Sequence, residues 1–85
     1  GMLVMEDEAG LDNKILAVPV GSLSAEYDQV NGLSDIAQVM LDRIGHFFKH
    51  YKDLDDNKWV KVKEWKDKDA AISEIQDSIN AYNKD

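Results

Sequence analysis

Asp7-Glu8-Ala9-Gly10-Leu11-Asp12-Asn13-Lys14 decides how this chain is read. Three carboxylates and an ammonium crowd a glycine turn, with Leu3–Met5 before it and Lys14–Val18 after it as short apolar runs rich in branched residues. That pattern predicts two strands joined by an acidic loop. Pro19, which has no amide hydrogen for a strand ladder, is expected to end the second run. Carboxylates packed this closely repel one another and any anion. Hard divalent cations that take oxygen ligands are the usual remedy, so the loop reads as a metal and phosphate signature, with a solvated acidic turn as the alternative. The spacing from Asp7 to Asn13 does not satisfy the calcium-loop pattern.

Outward from the loop, Gly21-Ser22 opens a polar stretch in which Ser24-Ala25-Glu26-Tyr27 is read as one helical turn. Ile36, Val39, Met40, Ile44, Phe47, Phe48 and Tyr51 then recur at spacings of three and four, the pattern of an amphipathic helix capped by Ser34. Its apolar stripe calls for a sheet to lie on, and burial of Phe47 and Phe48 contributes about 1.5–3 kcal/mol each. Gly45, which costs about 1 kcal/mol relative to alanine inside a helix, is read as a point of close packing. Asp53-Leu54-Asp55-Asp56-Asn57 is turn chemistry. Lys58 to Trp65 sets Val60 and Val62 against Trp59, Lys61 and Lys63, as in a half-exposed strand. Ala71, Ile72, Ile75, Ile79 and Tyr82 mark a terminal helix. The expected order is strand, acidic loop, strand, long helix, strand, helix.

Composition narrows the function. The 85 residues carry 17 acidic and 10 basic side chains, a net charge of −7. This argues against a nucleic-acid backbone or an anionic membrane as the main partner, while leaving local lysines free to grip a small anion. The alternating Lys58, Lys61 and Lys63 read as a solvated face, and Trp59 and Trp65 as core or interface anchors. With no cysteine, neither a disulfide nor a zinc-thiolate site is available. The longest apolar run, Ile15–Val20, is far short of the ~20 residues of a membrane helix, so a cytoplasmic location is expected. A chain of this size buries only ~60% of its unfolded surface, so the stability margin is expected to be thin.

Together with the acidic loop, His46-Phe47-Phe48-Lys49-His50-Tyr51-Lys52-Asp53 and Lys58-Trp59-Val60-Lys61-Val62 resemble the soluble inorganic pyrophosphatases of the bacterial family I type. The resemblance runs from Leu3 to about Asn83 and covers about the C-terminal half of the family. Residues 1–85 therefore read as the C-terminal portion of a single inorganic pyrophosphatase domain. It implies an α+β fold, part of a small OB-like β-barrel with two flanking helices and the N-terminal strands missing. The upstream lysine, glutamate, arginine and tyrosine set and the Asp-Gly-Asp-Pro-x-Asp motif of the family do not occur here. Gly1 before Met2 reads either as a tag scar or as part of the family strand leading into the acidic turn.

The resemblance also implies roles. The family residues matching Asp7 and Asp12 coordinate Mg2+, with Glu8 in a supporting position, and those matching Lys14, Tyr51 and Lys52 contact the phosphates of inorganic pyrophosphate. Without the resemblance, Lys14 is a surface lysine and Tyr51-Lys52 a helix end where cations suit the macrodipole. His46 and His50 share a helical face but lack the glutamate of the zinc-protease motif. In bacterial relatives the matching histidines, and the aspartate matching Asp53, lie at contacts between subunits, so a homo-oligomer is implied. Two partly exposed helix histidines are the alternative. The family activity is hydrolysis of diphosphate to two phosphates, with little or no activity expected of this chain alone. A non-catalytic oligomerising remnant that binds through helix and strand edges is the alternative.

Overall fold

A computed structural model describes residues 1–23 and 25–84. Ser24, expected to start a helical turn, lies outside the described residues, and the turn that follows is a 3-10 segment at Ala25–Tyr27. The chain runs β1 (Met2–Asp7), β2 (Gly10–Leu11), β3 (Lys14–Ile15), α1 (Gln38–His50), β4 (Val60–Lys66) and α2 (Lys68–Lys84). The strands form one open antiparallel sheet, and the fold class is α+β as expected.

The centre of the sheet is β1, whose residues Met2, Leu3 and Met5 are buried. One of its edges pairs along its full length with β4, and the other with β2 and then β3. The latter two are a single hairpin arm in constant register, with Asp7 opposite Gly10, Glu6 opposite Leu11, Leu3 opposite Lys14 and Met2 opposite Ile15. The arm is interrupted at Asp12–Asn13. There the Asp12 amide still donates to the Met5 carbonyl at 3.0 Å, but the Met5 amide donates to the Asn13 side-chain oxygen at 3.2 Å. Gly10 leaves the tight turn at φ 120°, a conformation that side chains disfavour.

The second apolar run is thus shorter as a strand than its sequence suggests, ending at Ile15 instead of Val18, although Leu16 and Gly1 extend the ladder by one reciprocal pair. A bulge in β4 also changes the reading of the later strand: Val4 faces Glu64 while Met5 faces Val62, which leaves Lys63 as the extra residue. The bulge reverses the alternation beyond it. Trp65, which simple alternation puts with the lysines, therefore joins Val60 and Val62 opposite Leu3, Met5 and Asp7.

The long helix begins at Gln38, with Ala37 as a cap that makes no side-chain bond. Ser34 does not cap it, because residues Leu33–Asp35 form a separate 3-10 turn held by tertiary contacts. Asp67 Oδ1 accepts the Leu33 amide at 3.1 Å and the Lys68 amide at 2.7 Å, tying this turn to the head of α2. Those two amides hold the Asp67 carboxyl below its ordinary pKa.

Leu41 is the one buried residue of α1, with Ile44 and Phe48 half-buried on the same stripe. Phe47 is 59% exposed, so the expected burial of both phenylalanines holds only in part for Phe48. The sheet here is too narrow to cover more than one stripe of the helix. On α2 only Ala71 is buried, while Ile72, Ile75, Ile79 and Tyr82 are exposed. Gly45 is likewise not a point of close packing, since a Cβ there would meet no atom within 4 Å. Gly45→Ala is therefore expected to stabilise the chain by about 0.5–1 kcal/mol, read as a higher urea midpoint.

Candidate functional site

The site lies where the acidic hairpin meets the end of α1. Asp7 closes the buried face of β1 at the mouth of the tight turn, and its residue is 9% exposed. Its Oδ1 accepts the Ala9 amide at 2.9 Å, an Asx-type turn that fixes the carboxylate. Its Oδ2 accepts a 2.9 Å hydrogen bond from Lys52 Nζ, 45 residues further along the chain. Lys52 also reaches Glu8 Oε2 at 3.2 Å and Oε1 at 3.4 Å. The stripe of α1 that faces the sheet (Leu41, Ile44 and Phe48) thus continues, two residues past the helix end, into a cation aimed at the hairpin.

The electrostatics follow from this geometry. The hydrogen bond from Lys52, followed by that from Ala9, holds the Asp7 carboxyl below its ordinary value of about 3.8, against burial that pushes it up. The Asp7 bond, against desolvation, raises the Lys52 ammonium well above its ordinary value of about 10.5. Both groups are charged across the physiological range.

On the adjoining hairpin arm, Lys14 Nζ is held by both oxygens of Asp12, at 3.0 and 2.9 Å. Lys14 stands opposite Leu3, on the sheet face that carries Asp7. Its ammonium lies 5.4 Å from the centre of the Phe48 ring. Phe48 and Tyr51 meet edge to face at 5.7 Å, and Phe47 stacks on Tyr51 at 5.8 Å. Lys52 Nζ in turn lies 5.6 Å from the Tyr51 ring centre. A continuous chain of contacts therefore runs from Asp12 through Lys14, Phe48, Tyr51 and Lys52 to Asp7 and Glu8.

His46, His50 and Asp53 form a separate exposed group on α1 and the turn after it. The histidine rings lie 4.5 Å apart, and His50 Nδ1 is 2.8 Å from Asp53 Oδ2. Among the described residues, no hydrogen bond or ion pair joins them to the acidic hairpin. Sequence reasoning treated Phe48 only as core, and nothing in its helical position signals its contact with Lys14.

The oxygen-only donors Asp7, Glu8 and Asp12 suit a hard cation. Among the described residues, no three histidine, aspartate or glutamate side chains gather tightly enough to hold an ion unaided. Their chemistry is compatible with part of the shell of a hard divalent cation, the remainder of which would come from water, substrate oxygens or further protein groups.

The family model for inorganic pyrophosphatase matches residues 1–83. An inorganic pyrophosphatase of Agrobacterium fabrum is 46% identical over 82 residues, covering 96% of this chain and 46% of the relative. The solved inorganic pyrophosphatase of Helicobacter pylori superposes with a TM-score of 0.93 at 43% identity, covering 96% of this chain and 48% of that one. That of Coxiella burnetii gives 0.81 at 55% identity, covering 84% of this chain and 42% of that one. The chain spans about half the length of the relatives it matches. Such a family implies a divalent metal cofactor. Matched along nearly its whole length in sequence and in fold, the chain belongs to the inorganic pyrophosphatase family.

Proposed function

We propose that this chain supplies one half of a magnesium-dependent site for hydrolysis of inorganic pyrophosphate to two phosphates. The observation that carries the reading is the reach of Lys52 across 45 residues to Asp7, which brings the helix end to the acidic hairpin. Asp7 and Asp12 would hold Mg2+, with Glu8 in support. When bound, the cation polarises phosphoryl oxygens and acidifies water.

The chain's own groups orient and neutralise. The Ala9 amide fixes one oxygen of Asp7 and leaves the other directed at the site. The ammonium groups of Lys14 and Lys52 offset the negative charge spread over the transferring oxygens, and the Tyr51 hydroxyl donates a hydrogen bond to phosphate. As long as no cation is held, the two lysines serve as counter-ions for the carboxylates, which lowers the cost of gathering them.

The resemblance assigns the remaining metal ligands and the water-activating group to the upstream half of the family. These 85 residues alone are therefore expected to turn over pyrophosphate little or not at all. Magnesium titration followed by amide shifts is expected to move Asp7, Glu8 and Asp12, and Asp12→Ala is expected to weaken binding at least about tenfold. A hairpin that ignores Mg2+ overturns the metal assignment. Magnesium-dependent phosphate release by the chain alone, at a rate typical of complete enzymes and unchanged in Asp12→Ala, overturns the half-site.

A second reading is favoured by the apolar surface of α2, where Ile72, Ile75, Ile79 and Tyr82 stand exposed, and by the open outer edge of β4. In this reading the chain is a cytoplasmic assembly remnant that self-associates through helix faces and strand edges, with His46, His50 and Asp53 at contacts between copies. Sedimentation separates the two properties: a well-dispersed monomer at all concentrations rules out self-association without touching the half-site.

A further inference from the structure

We propose that Phe48 is a positioning residue that holds Lys14 in place for phosphate and couples it to Tyr51 and Lys52. The inference rests on the phosphate reading of those three residues. Lys14 has two supports: the Asp12 carboxylate, which uses both oxygens, and the Phe48 ring face at 5.4 Å. The first weakens in a loaded site, because a cation held by Asp12 takes at least one of the two oxygens that now face Lys14. A neutral ring face competes with neither the cation nor the anion, so it still steers the ammonium once Asp12 is taken.

The placement of Phe48 makes it suited to this. It is half-buried on the sheet-facing stripe of α1, so its ring is braced by packing. It meets Tyr51 edge to face at 84°, whereas its neighbour Phe47, which stacks on Tyr51 and packs against Phe48 at 5.1 Å, is 59% exposed. A residue on the helix thereby sets the position of a cation on the hairpin, and the phosphate-facing groups from two segments share one aromatic brace.

Phe48→Leu tests this, since it keeps an apolar side chain on the stripe and deletes the ring. Phe48→Tyr is the rescue and Phe47→Leu the control. In the wild-type chain the Lys14 ε-methylene protons are expected to resonate upfield, from the ring current. Inorganic phosphate added in Mg2+ buffer is expected to shift them further. Phe48→Leu is expected to abolish the upfield position and raise the phosphate midpoint by about three- to tenfold. Phe48→Tyr is expected to restore both, and Phe47→Leu to leave the Lys14 resonance in place.

A folded Phe48→Leu chain with the wild-type Lys14 shift and midpoint overturns the assignment. A wild-type Lys14 that does not respond to phosphate overturns the phosphate reading and this inference with it, and the two failures differ in whether the wild-type chain responds. If Phe48→Leu does not fold, Phe48→Met is compared in its place. Loss of fold in both makes Phe48 a core residue and overturns the proposal.

Discussion

Leu3→Ala is expected to leave the chain largely unfolded in water. Leu3 is 1% exposed at the centre of β1, opposite Trp65 on one neighbour and Lys14 on the other. Only it and Met5 are large side chains with less than 2% of their surface accessible, among the described residues. Truncating a buried leucine costs about 2–5 kcal/mol, transfer and cavity together. A domain near this size draws about 3–5 kcal/mol from its core, so the loss is comparable with the whole margin. Urea titration followed by tryptophan fluorescence checks this, because Trp65 lies across the strand from the deleted side chain. Leu54→Ala is the matched control: at 99% exposure its truncation removes no packing, and its midpoint is expected to equal that of the parent. A Leu3→Ala chain with the parental midpoint would show that the sheet face is not the core.

The second large effect is expected from Lys52→Met, and its size depends on pH. The variant removes the cation facing Asp7, whose residue is 9% exposed, and leaves that carboxylate with the Ala9 amide as its remaining charge-stabilising bond. Asp7 has a lowered folded-state pKa, so its contribution is present above the unfolded value near 3.8 and is lost as pH falls through the folded value. Lys52 has a raised one, so its contribution is present below the unfolded value near 10.5 and lost only as pH rises through the folded value above that. The wild-type advantage over Lys52→Met is therefore expected to be broad between about pH 4 and pH 10, and to shrink in acid as Asp7 protonates in both chains. Denaturant midpoints of the two chains at neutral pH and at about pH 3 check the direction. A gap that stays constant or widens in acid would mean that packing of the lysine stem, and not the ion pair, is what the variant loses.

The particular residues that were and were not legible in the sequence share a physical cause. The repeat of Ile44, Phe48 and Tyr51 marks a helix because periodicity is local, and the helix is there. Where it starts is not local: Ser34 has the chemistry of a cap, but Asp67, thirty-four residues downstream of Leu33, organises that segment as a separate turn. The face that Trp65 takes has a related cause, since period-two alternation cannot register a bulge that appears only when β4 pairs with β1. Gly45 and Phe47 were assigned packing partners that a sheet this narrow does not provide.

The candidate site divides in the same way. Its residue types, Asp7, Glu8, Asp12 and Lys14 on one segment and Tyr51 and Lys52 on another, stand in the sequence in a recognisable order, and with them come the family and the α+β class. Short-range chemistry is written in neighbouring residues. That Lys52 closes on Asp7 and Glu8, that Lys14 rests on Phe48, and that the histidine group stands apart from all of them was decided only when α1 packed on the sheet. Contacts across some forty residues depend on helix length, strand register and one bulge acting together, and no single stretch of the chain carries all three.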